Sequence, residues 1–291
     1  MPTGILIVDK PADWTSQDVV SKLRGVFHER RIGHGGTLDP MATGVLPIFV
    51  GRATRAVEFF ESAEKEYIAG LRLGVVTDTQ DTTGTVLAQA PVTVTREEVA
   101  AALSTFLGAQ QQLPPMYSAV KIGGQKLYEL ARKGREVARK PRDIVLHQLE
   151  LLDGAGEHYT FRVRCSKGTY VRTLCHDLGQ KLGCGGCMES LRRTAAGCYT
   201  LDQAVPLAEV VAHPDPASLL IPIDSLFAHL PWVKLQERQM KLLLNGAQVP
   251  VTGLKNGEYR VYDPTGGFAA LCRAGGGRLK TIKSFFEVKE P

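Results

Sequence analysis

The chain is most constrained by one junction, at which a glycine-rich loop leads directly into a run of apolar residues. Residues 32–51 read IGHGGTLDPMATGVLPIFVG, with Asp39 as the one carboxylate and no Lys, Arg or Glu. The apolar residues 45–50 have the length and composition of a buried strand, so the loop before them is attached to the hydrophobic core. Glycines permit tight turns and close approach of a ligand, and Pro40 restricts the backbone of Asp39. We therefore expect Asp39 to have a functional role on a fixed loop. The alternative is that Asp39 and Pro40 only form an ordinary turn.

The size and composition predict a globular protein with a substantial core. At 291 residues the chain exceeds the usual length of one domain, so a large domain and a small one are expected. Its 44% hydrophobic and 22% charged residues exclude a disordered or fibrous chain. No apolar run approaches membrane-spanning length, and the first apolar stretch is interrupted too early by Asp9 and Lys10 to be a signal peptide. We expect a cytoplasmic protein without membrane contact.

Basic residues are concentrated in four clusters, although the net charge is only +5. Because the excess of positive charge is small, its distribution along the chain is more informative than its size. Four basic clusters favour a polyanionic partner that contacts the protein at several places. A solvated surface is the alternative. The clusters are Lys22, Arg24, Arg30 and Arg31 with His28; Arg132, Lys133, Arg135, Arg139, Lys140 and Arg142; Arg162, Arg164, Lys167, Arg172, Arg192 and Arg193; and Arg273, Arg278, Lys280 and Lys283.

The six cysteines give only a weak signal for a metal or redox site. Cys184 and Cys187 have CxxC spacing, but a structural zinc site needs a second close pair, which the sequence lacks. A redox CxxC follows a strand, whereas the preceding residues 176–182 have a helical pattern. We therefore predict reduced thiols and no metal. Asp78 and Asp81 could also hold Mg²⁺, but a solvent-facing turn is the better interpretation of residues 77–84.

Periodicity and capping signals predict alternating strands and helices. Thr15 or Ser16 begins an amphipathic helix that ends near Phe27, and Thr95 begins a second helix. Residues 110–140 lack an apolar period and are interpreted as an excursion over the surface. The remaining predicted elements are strands at 4–8, 65–74, 143–152 and 159–165, helices at 53–60 and 96–107, and a strand that passes into a helix at 169–182.

A change of composition near residues 215–231 predicts a boundary between two domains. Prolines interrupt this segment, and the roughly sixty residues that follow contain strand-like runs between frequent glycines. We assign residues 1–229 to a catalytic domain and residues 230–291 to a compact β-barrel-like module. No internal repeat of useful length is present.

Several short motifs, in this order, resemble the TruB family of tRNA pseudouridine synthases. They are GGTLDP at 35–40 with ATG at 42–44 and LP at 46–47, KEY at 65–67, TD at 77–78 with Asp81, and GTYVR at 168–172. DKP at 9–11 and LRRT at 191–194 are also similar, and the C-terminal segment loosely resembles the small RNA-binding module of PUA type. The resemblance covers essentially the whole chain. It implies an α+β pseudouridine synthase fold with a mixed, mostly antiparallel sheet, flanking helices and a PUA-like β-barrel module.

The resemblance implies that the protein isomerises uridine-55 in the T loop of tRNA to pseudouridine. In this reaction the N-glycosidic bond breaks, the base turns, and a carbon-carbon bond joins it to the same ribose. Neither a cofactor nor a metal is needed. The implied partner is the T arm of tRNA, bound by a monomer that requires no protein partner.

The resemblance also implies roles for individual residues. Asp39 is the catalytic carboxylate and candidate nucleophile, which attacks the ribose, attacks the base or removes a ribose proton. Arg172 is its ion-pair partner, since an adjacent arginine lowers the pKa of an aspartate. Tyr67 stacks on the flipped base and is available for proton transfer, although a strand aromatic in the core is the alternative.

Further residues are expected to bind or support the substrate. His34 lies at the disrupted nucleotide stack unless it is an ordinary loop histidine, and Tyr170 and Leu191 form the pocket wall. Asp81 and Lys10 are supporting residues. A thumb-like segment at about 110–142 closes over the RNA stem-loop and contributes phosphate contacts. Its basic side chains are Arg132, Lys133, Arg135, Arg139, Lys140 and Arg142.

Two other functions compete with isomerisation. The first is an RNA chaperone that folds tRNA elbows while the pocket is incidental. The second is a nucleoside or glycoside hydrolase, which needs a second acidic group such as Asp78 or Asp81 at working distance from Asp39. Release of tritium from the uracil C5 position separates the chaperone from the isomerase, and free uracil identifies the hydrolase.

Overall fold

The computed structural model describes residues 1–286 and has the predicted α+β character. Short 3-10 helices cover Gly51–Ala56, Leu201–Gln203, Pro216–Leu219 and Ile223–Phe227. Within residues 1–286, none of the helices has the length and apolar character needed to cross a bilayer. The α-helices are α1 (Ser16–Phe27), α2 (Val57–Phe60), α3 (Arg96–Ser104), α4 (Leu127–Ala131), α5 (Val171–Lys181), α6 (Leu207–Ala212) and α7 (Glu237–Leu244).

The strands before residue 207 form one large sheet and two small hairpins. In chain order they are β1 (Gly4–Lys10), β2 (Ile32–His34), β3 (Thr43–Val50), β4 (Lys65–Leu73), β5 (Val75–Thr77), β6 (Val86–Gln89), β7 (Gly108–Gln112), β8 (Lys121–Ile122), β9 (Gln125–Lys126), β10 (Arg142–Ala155), β11 (His158–Cys165), β12 (Gly186–Ala196), β13 (Tyr199–Thr200) and β14 (Val205–Pro206).

The large sheet is mixed and mostly antiparallel, as predicted. Its main order is β14-β1-β3-β12-β4-β11-β10-β7, with β2 paired to β3 and β13 paired to β12. The β1–β14 and β3–β12 pairs are parallel, and the other pairs of this sheet are antiparallel. The strand β3, which follows the Asp39 loop, is almost fully buried. The loop is therefore anchored to the middle of the sheet.

The sheet is covered on both faces by apolar side chains. Along β1, Leu6 and Val8 belong to one core cluster and Ile5 and Ile7 to another, because successive strand residues point to opposite faces. The first cluster contains the buried faces of α1, α3 and α5. Burial of each such aliphatic side chain contributes about 1.5–3 kcal/mol. The strands that carry candidate site residues are thus held rigidly.

Helix α1 illustrates how local sequence signals fix an element next to the Asp39 loop. The Thr15 hydroxyl accepts a hydrogen bond from the Asp18 backbone N–H, and the Asp18 carboxylate accepts one from the Thr15 N–H, forming a capping box. His28 ends the helix in the left-handed region, with φ 49°. The predicted boundaries of this helix are confirmed.

The C-terminal residues form a separate five-stranded sheet. Its strands are β15 (Trp232–Lys234), β16 (Val249–Pro250), β17 (Gly257–Tyr262), β18 (Phe268–Gly275) and β19 (Arg278–Ser284). Their order is β15-β17-β18-β19-β16, which produces a curled half-barrel as expected for a PUA-like module. Leu271 and Phe285 also pack with Ile223 and Phe227 in the second core cluster. The module therefore shares apolar contacts with the rest of the chain.

Some predicted elements need correction. The helix predicted at 96–107 ends at Ser104, and residues 169–170 are not a strand, since Tyr170 is an extended residue that caps α5. The surface excursion at 110–140 contains the end of β7, the β8–β9 hairpin and α4. Leu127 of α4 is buried, because this short helix packs its apolar side inward. The sequence interpretation missed the helix because five residues are too few to show an apolar period.

Candidate active site

The Asp39 loop connects β2 to β3 and is fixed by contacts with the N-terminal part of the chain. Ser16 of α1 binds both sides of Leu38: its hydroxyl accepts from the Leu38 N–H at 2.9 Å and lies 3.3 Å from the Leu38 carbonyl. The Asp13 N–H donates to the Pro40 carbonyl at 2.9 Å, and the Ala42 N–H donates to the Asp39 carbonyl at 3.0 Å. The backbone on both sides of Asp39 is therefore held in place by hydrogen bonds within the protein.

Arg172 holds the carboxylate of Asp39 from the start of α5. Its Nε lies 2.9 Å from Asp39 Oδ2, and its Nη2 lies 3.3 Å from Asp39 Oδ1. Such a two-point contact fixes the orientation of a carboxylate as well as its charge. The Arg172 side chain is 7% exposed and that of Asp39 is 34% exposed. The arginine is therefore internal, while the carboxylate remains accessible.

Asp81 contacts the other side of the same guanidinium. Its Oδ2 lies 3.6 Å from Arg172 Nη1, which also donates to the Thr79 carbonyl at 3.0 Å. Asp81 Oδ1 accepts hydrogen bonds from the Thr79 hydroxyl and the Thr83 N–H. The prediction of a solvent-facing turn is wrong for Asp81, which is 5% exposed, because the turn folds its carboxylate inward against Arg172. Asp78 is exposed and accepts from the Thr85 N–H.

Lys10 lies at the end of β1, beneath the same loop. The side chain is fully buried, and its ammonium donates to the carbonyls of Pro11, Trp14 and Pro40. Burial lowers the pKa of Lys10 to about 8, while the nearby charges of Asp13 and Asp39 oppose this shift. Lys10 therefore stabilises the backbone of the Asp39 loop.

Tyr67 and Leu191 share one face of adjacent strands. In the β4–β12 pair, Tyr67 is opposite Arg193 and Ala69 is opposite Leu191. Directly opposed residues project from the same face, as do residues two apart on a strand, so these four side chains form one surface. Burial raises the pKa of the Tyr67 phenol, and a hydrogen bond with Arg193 and its charge oppose that shift. The phenol stays protonated near neutral pH.

His34 and Tyr170 occupy the ends of the two segments that carry the Asp39–Arg172 pair. His34 is the last residue of β2 and is half-buried, and burial together with the positive charge of Arg193 lowers its pKa. Tyr170 is half-buried and immediately precedes α5. The structure thus brings Asp39, Arg172 and Asp81 together through direct contacts and places Lys10 against the backbone of the Asp39 loop, while His34 and Tyr170 lie on the flanking backbone.

Arg193 is a residue of this region that the sequence interpretation assigned to a polyanion-binding cluster. That prediction is wrong for Arg193, which is 1% exposed, and for the buried Arg172. Arg193 donates from Nε to the Val45 carbonyl at 2.6 Å and from Nη2 to the Gly36 carbonyl at 3.2 Å. It therefore joins both ends of the Asp39 loop. The alternation of side chains along β12 is the sequence signal that could have indicated that Arg193 is buried on the same face as Tyr67.

The other arginines of that cluster form ion pairs at the surface. Arg162 pairs with Glu150 and Arg164 with Glu64, both at 2.6 Å. Arg192 binds Asp9 at 2.7 Å. These pairs neutralise the positive charge that the sequence suggested for this face.

The thumb-like segment retains most of its basic side chains on the surface. Arg132, Lys133, Arg135, Lys140 and Arg142 are exposed. Its sixth basic residue is half-buried and binds within the segment: Arg139 donates to the Pro114 carbonyl at 3.0 Å and to Glu136 at 2.9 Å.

The charge environment of Asp39 determines when it ionises. Burial raises the pKa of the Asp39 carboxyl above its ordinary value, and the negative charge of Asp81 adds to this effect. Arg172 opposes it through charge and hydrogen bonding, as does Lys10 to a smaller degree. An oriented carboxylate with a raised pKa and partial exposure is able to act as a nucleophile or a base near neutral pH.

A cavity of about 590 Å³ lies next to this site but does not contain the ion pair. Its wall includes Lys10, Trp14 and Arg192, whereas neither Asp39 nor Arg172 lines it. The candidate active site is instead the more open surface at which the Asp39 carboxylate is accessible.

The two cysteines with CxxC spacing are buried. Cys184 and Cys187 are buried free thiols, and burial raises the pKa of Cys187 to about 11. Within residues 1–286, no three His, Cys, Asp or Glu side chains converge in a group suited to a metal ion.

Comparisons with known proteins agree with the motifs and the fold. Residues 24–171 match the N-terminal domain of the TruB family of pseudouridylate synthases, and residues 172–228 match the C-terminal domain of tRNA pseudouridylate synthase B. The tRNA pseudouridine synthase B of Syntrophomonas wolfei subsp. wolfei is 44% identical over 278 residues, which cover 93% of each chain. The enzyme of the same name from Azoarcus sp. is 46% identical over 84% of this chain and 83% of its own.

A solved structure extends the agreement to the whole fold. One chain of a Cbf5–Nop10–Gar1 complex superimposes with a TM-score of 0.74 at 26% identity, over 98% of this chain and 85% of that chain. The family models, the relatives and the fold lead to the same identification. The chain belongs to the TruB family of pseudouridylate synthases.

Proposed function

We propose that this protein converts uridine-55 in the T loop of tRNA to pseudouridine. The observation that carries the proposal is the accessible Asp39 carboxylate, held at two points by the buried Arg172 and close enough to Tyr67 for its charge to act on the phenol. The names of the relatives, tRNA pseudouridine synthase B, support tRNA as the substrate.

The proposed reaction is an isomerisation and is balanced without an external reagent. The bond between N1 of uracil and C1′ of ribose breaks, and a bond between C5 and C1′ forms. The proton lost from C5 is matched by one gained at N1. Attack on the ribose, attack on the base and removal of a ribose proton all require Asp39 to be ionised. Arg172 favours that form, so it supports each of the three routes equally.

We propose that the target nucleotide leaves its stack to reach Asp39, because the reacting atoms are inaccessible within a stacked RNA loop. Tyr67 stacks on the flipped base, and Leu191 and Tyr170 form the wall that retains the base after cleavage. His34 occupies the disrupted nucleotide stack. Lowering of its pKa by burial keeps its imidazole neutral and suited to stacking.

RNA backbone contacts are proposed for the thumb-like segment at about 110–142. Its exposed basic residues would bind phosphates of the T stem, and such contacts make affinity depend on salt concentration. Arg139 would contribute less than the others, since its guanidinium is bound to Pro114 and Glu136.

The proposed organisation is a catalytic domain at residues 1–229 and a PUA-like module at residues 230–291 that assists RNA binding. The protein acts as a monomer without a protein partner, in the cytoplasm where tRNA is modified. Membership in a synthase family disfavours the chaperone alternative. The hydrolase alternative is disfavoured, because Asp81 is buried against Arg172, while Asp78 is exposed and accepts a hydrogen bond from the Thr85 N–H.

The direct experiment measures tritium release from tRNA transcribed with [5-³H]uridine, together with mapping of pseudouridine in the product. The matched control substrate carries cytidine at position 55. We expect release of one tritium per tRNA, pseudouridine at position 55, and no release from the control. Modification of another position would contradict the site assignment, free uracil would indicate a hydrolase, and binding without release would indicate a chaperone.

A further inference from the structure

The two strands that carry the thumb-like segment end and begin at one pair of opposed residues. Gln112 is the last residue of β7, and its partner across the ladder is Arg142, the first residue of β10. The chain therefore leaves the sheet after Gln112 and returns to it at Arg142.

The side chain of Gln112 binds the backbone of one residue at both of its polar ends. Its Oε1 accepts a hydrogen bond from the Tyr170 N–H at 2.8 Å, and its Nε2 donates to the Tyr170 carbonyl at 3.0 Å. Gln112 is 5% exposed, so water does not compete strongly for these groups. Both donor and acceptor of the amide are therefore used to fix the position of Tyr170.

Tyr170 determines where α5 begins. It is the N-cap residue of the helix, it has an extended backbone, and its own side chain makes no capping hydrogen bond. Its carbonyl accepts the first helical hydrogen bond, from Leu174, at 3.1 Å. Arg172 follows two residues later, so the backbone position that Gln112 fixes is also the origin of the guanidinium that holds Asp39.

A second contact joins the thumb-like segment to the same guanidinium. Arg172 Nη2 donates to the Tyr117 carbonyl at 2.8 Å, in addition to its contact with Asp39. Tyr117 lies five residues after Gln112 within the segment. The beginning of the RNA-binding segment thus contacts the backbone before Arg172 and the side chain of Arg172 itself.

Resting on the proposed function, we infer that Gln112 is a positioning residue for catalysis, which aligns Arg172 with Asp39 and couples the thumb-like segment to the ion pair. It touches neither the substrate nor Asp39. Loss of its amide leaves the RNA-contacting side chains in place but frees the start of α5. The rate of the chemical step therefore falls more than the affinity for RNA.

The test uses Gln112→Met in the full chain, with Gln110→Met as the matched control. Gln110 is on β7 before the chain leaves the sheet, is half-buried, and its amide donates to the Phe106 carbonyl rather than to Tyr170. Single-turnover tritium release gives the rate, filter binding gives the Kd for tRNA, and thermal unfolding gives Tm. We expect Gln112→Met to slow the chemical step by about 10- to 100-fold with an unchanged Kd. Gln110→Met should retain the wild-type rate.

A double-mutant cycle separates positioning from general structural damage. If Gln112 acts through Arg172, Gln112→Met causes little further loss of rate in an Arg172→Lys background, because the alignment is already lost. A wild-type rate for Gln112→Met, an equal loss of rate and affinity, or full additivity with Arg172→Lys would overturn the inference. If Gln112→Met does not fold, Gln112→Glu replaces it, since it keeps the acceptor for the Tyr170 N–H and loses the donor to the Tyr170 carbonyl. Inactivity of the wild-type chain would instead refute the proposed function.

Discussion

Two buried arginines contact the Asp39 loop, and they do so in different ways. Arg172 binds the Asp39 carboxylate, while Arg193 binds the Gly36 and Val45 carbonyls before and after it. Arg172 also has Asp81 within 3.6 Å, whereas the hydrogen bonds of Arg193 within residues 1–286 are to backbone carbonyls and the Tyr67 phenol. One guanidinium therefore sets the state of the reactive group, and the other sets the shape of the loop that presents it.

This difference predicts the largest loss of activity from Arg172→Met. Without the guanidinium, Asp39 loses both orientation and the contact that favours its ionised form, so kcat/KM should fall by about 10³-fold. The measurement is tritium release under kcat/KM conditions. Arg96→Met is the control, since it removes a surface pair with Asp153 and should leave activity intact. Near-normal turnover by Arg172→Met would mean that the pair is only structural.

The loop scaffold is expected to be most sensitive at Gly44. Gly44 and Gly36 have nearly equal positive φ values of 100° and 101°, but an added Cβ at Gly44 would overlap the Arg193 backbone carbonyl. At Gly36 the nearest atom would be 3.7 Å away. Gly44→Ala should lower the free energy of unfolding by about 3–5 kcal/mol, and Gly36→Ala by about 1–2 kcal/mol. Urea unfolding of both variants measures this difference. Equal losses in the free energy of unfolding would show that the close approach of Gly44 to the Arg193 backbone is unimportant.

Arg193→Met should lower the stability of the protein, and it should lower activity less than Arg172→Met does. The substitution removes the donors to the buried Val45 carbonyl and to the carbonyl of the exposed Gly36, so the free energy of unfolding should fall by about 1–3 kcal/mol. Activity should fall as well, because the Asp39 loop loses its connection to β12, but less than in Arg172→Met. Urea unfolding and tritium release on the two variants test the contrast. A larger loss of activity from Arg193→Met would reverse the assignment of roles.

The smallest expected effect is a change in pH dependence. Burial and the charge of Asp81 raise the pKa of Asp39, while Arg172 and Lys10 oppose this increase. Because the ionised form is active, activity is present above this raised pKa and is lost as pH falls through it. Asp81→Asn removes a negative charge, so the pKa of Asp39 falls and the acidic limb of kcat/KM moves to lower pH. Asp78→Asn, at an exposed site, should leave the limb in place; a shift to higher pH in Asp81→Asn would contradict the charge assignment.

The sequence allowed the reactive loop to be predicted, but not all of its surroundings. Asp39 stood out because its flanks contain no other charged residue and lead into the buried strand β3. Thr15 or Ser16 also predicted the start of α1, and the structure adds that Thr15 caps the helix together with Asp18. Arg172 was paired with Asp39 only through the family resemblance, because 133 residues separate them.

The contacts that were missed depend on tertiary packing. Arg193 lies beside Arg192 in the sequence, yet strand alternation buries one of them and leaves the other at a surface pair. Gln112 and Tyr117 contact residues that lie 58 and 55 positions further along the chain. No local pattern distinguishes these residues from others in a polar segment, so only the folded structure reveals their connection to Arg172.

The catalytic role of Asp39 is tested most directly by Asp39→Asn, which keeps the size of the side chain and removes its charge. Tritium release from [5-³H]uridine-labelled tRNA and filter binding are measured on the same preparation. The variant should bind tRNA with the Kd of the wild type and form no pseudouridine. Normal turnover by Asp39→Asn would contradict the assignment of Asp39 as the catalytic carboxylate.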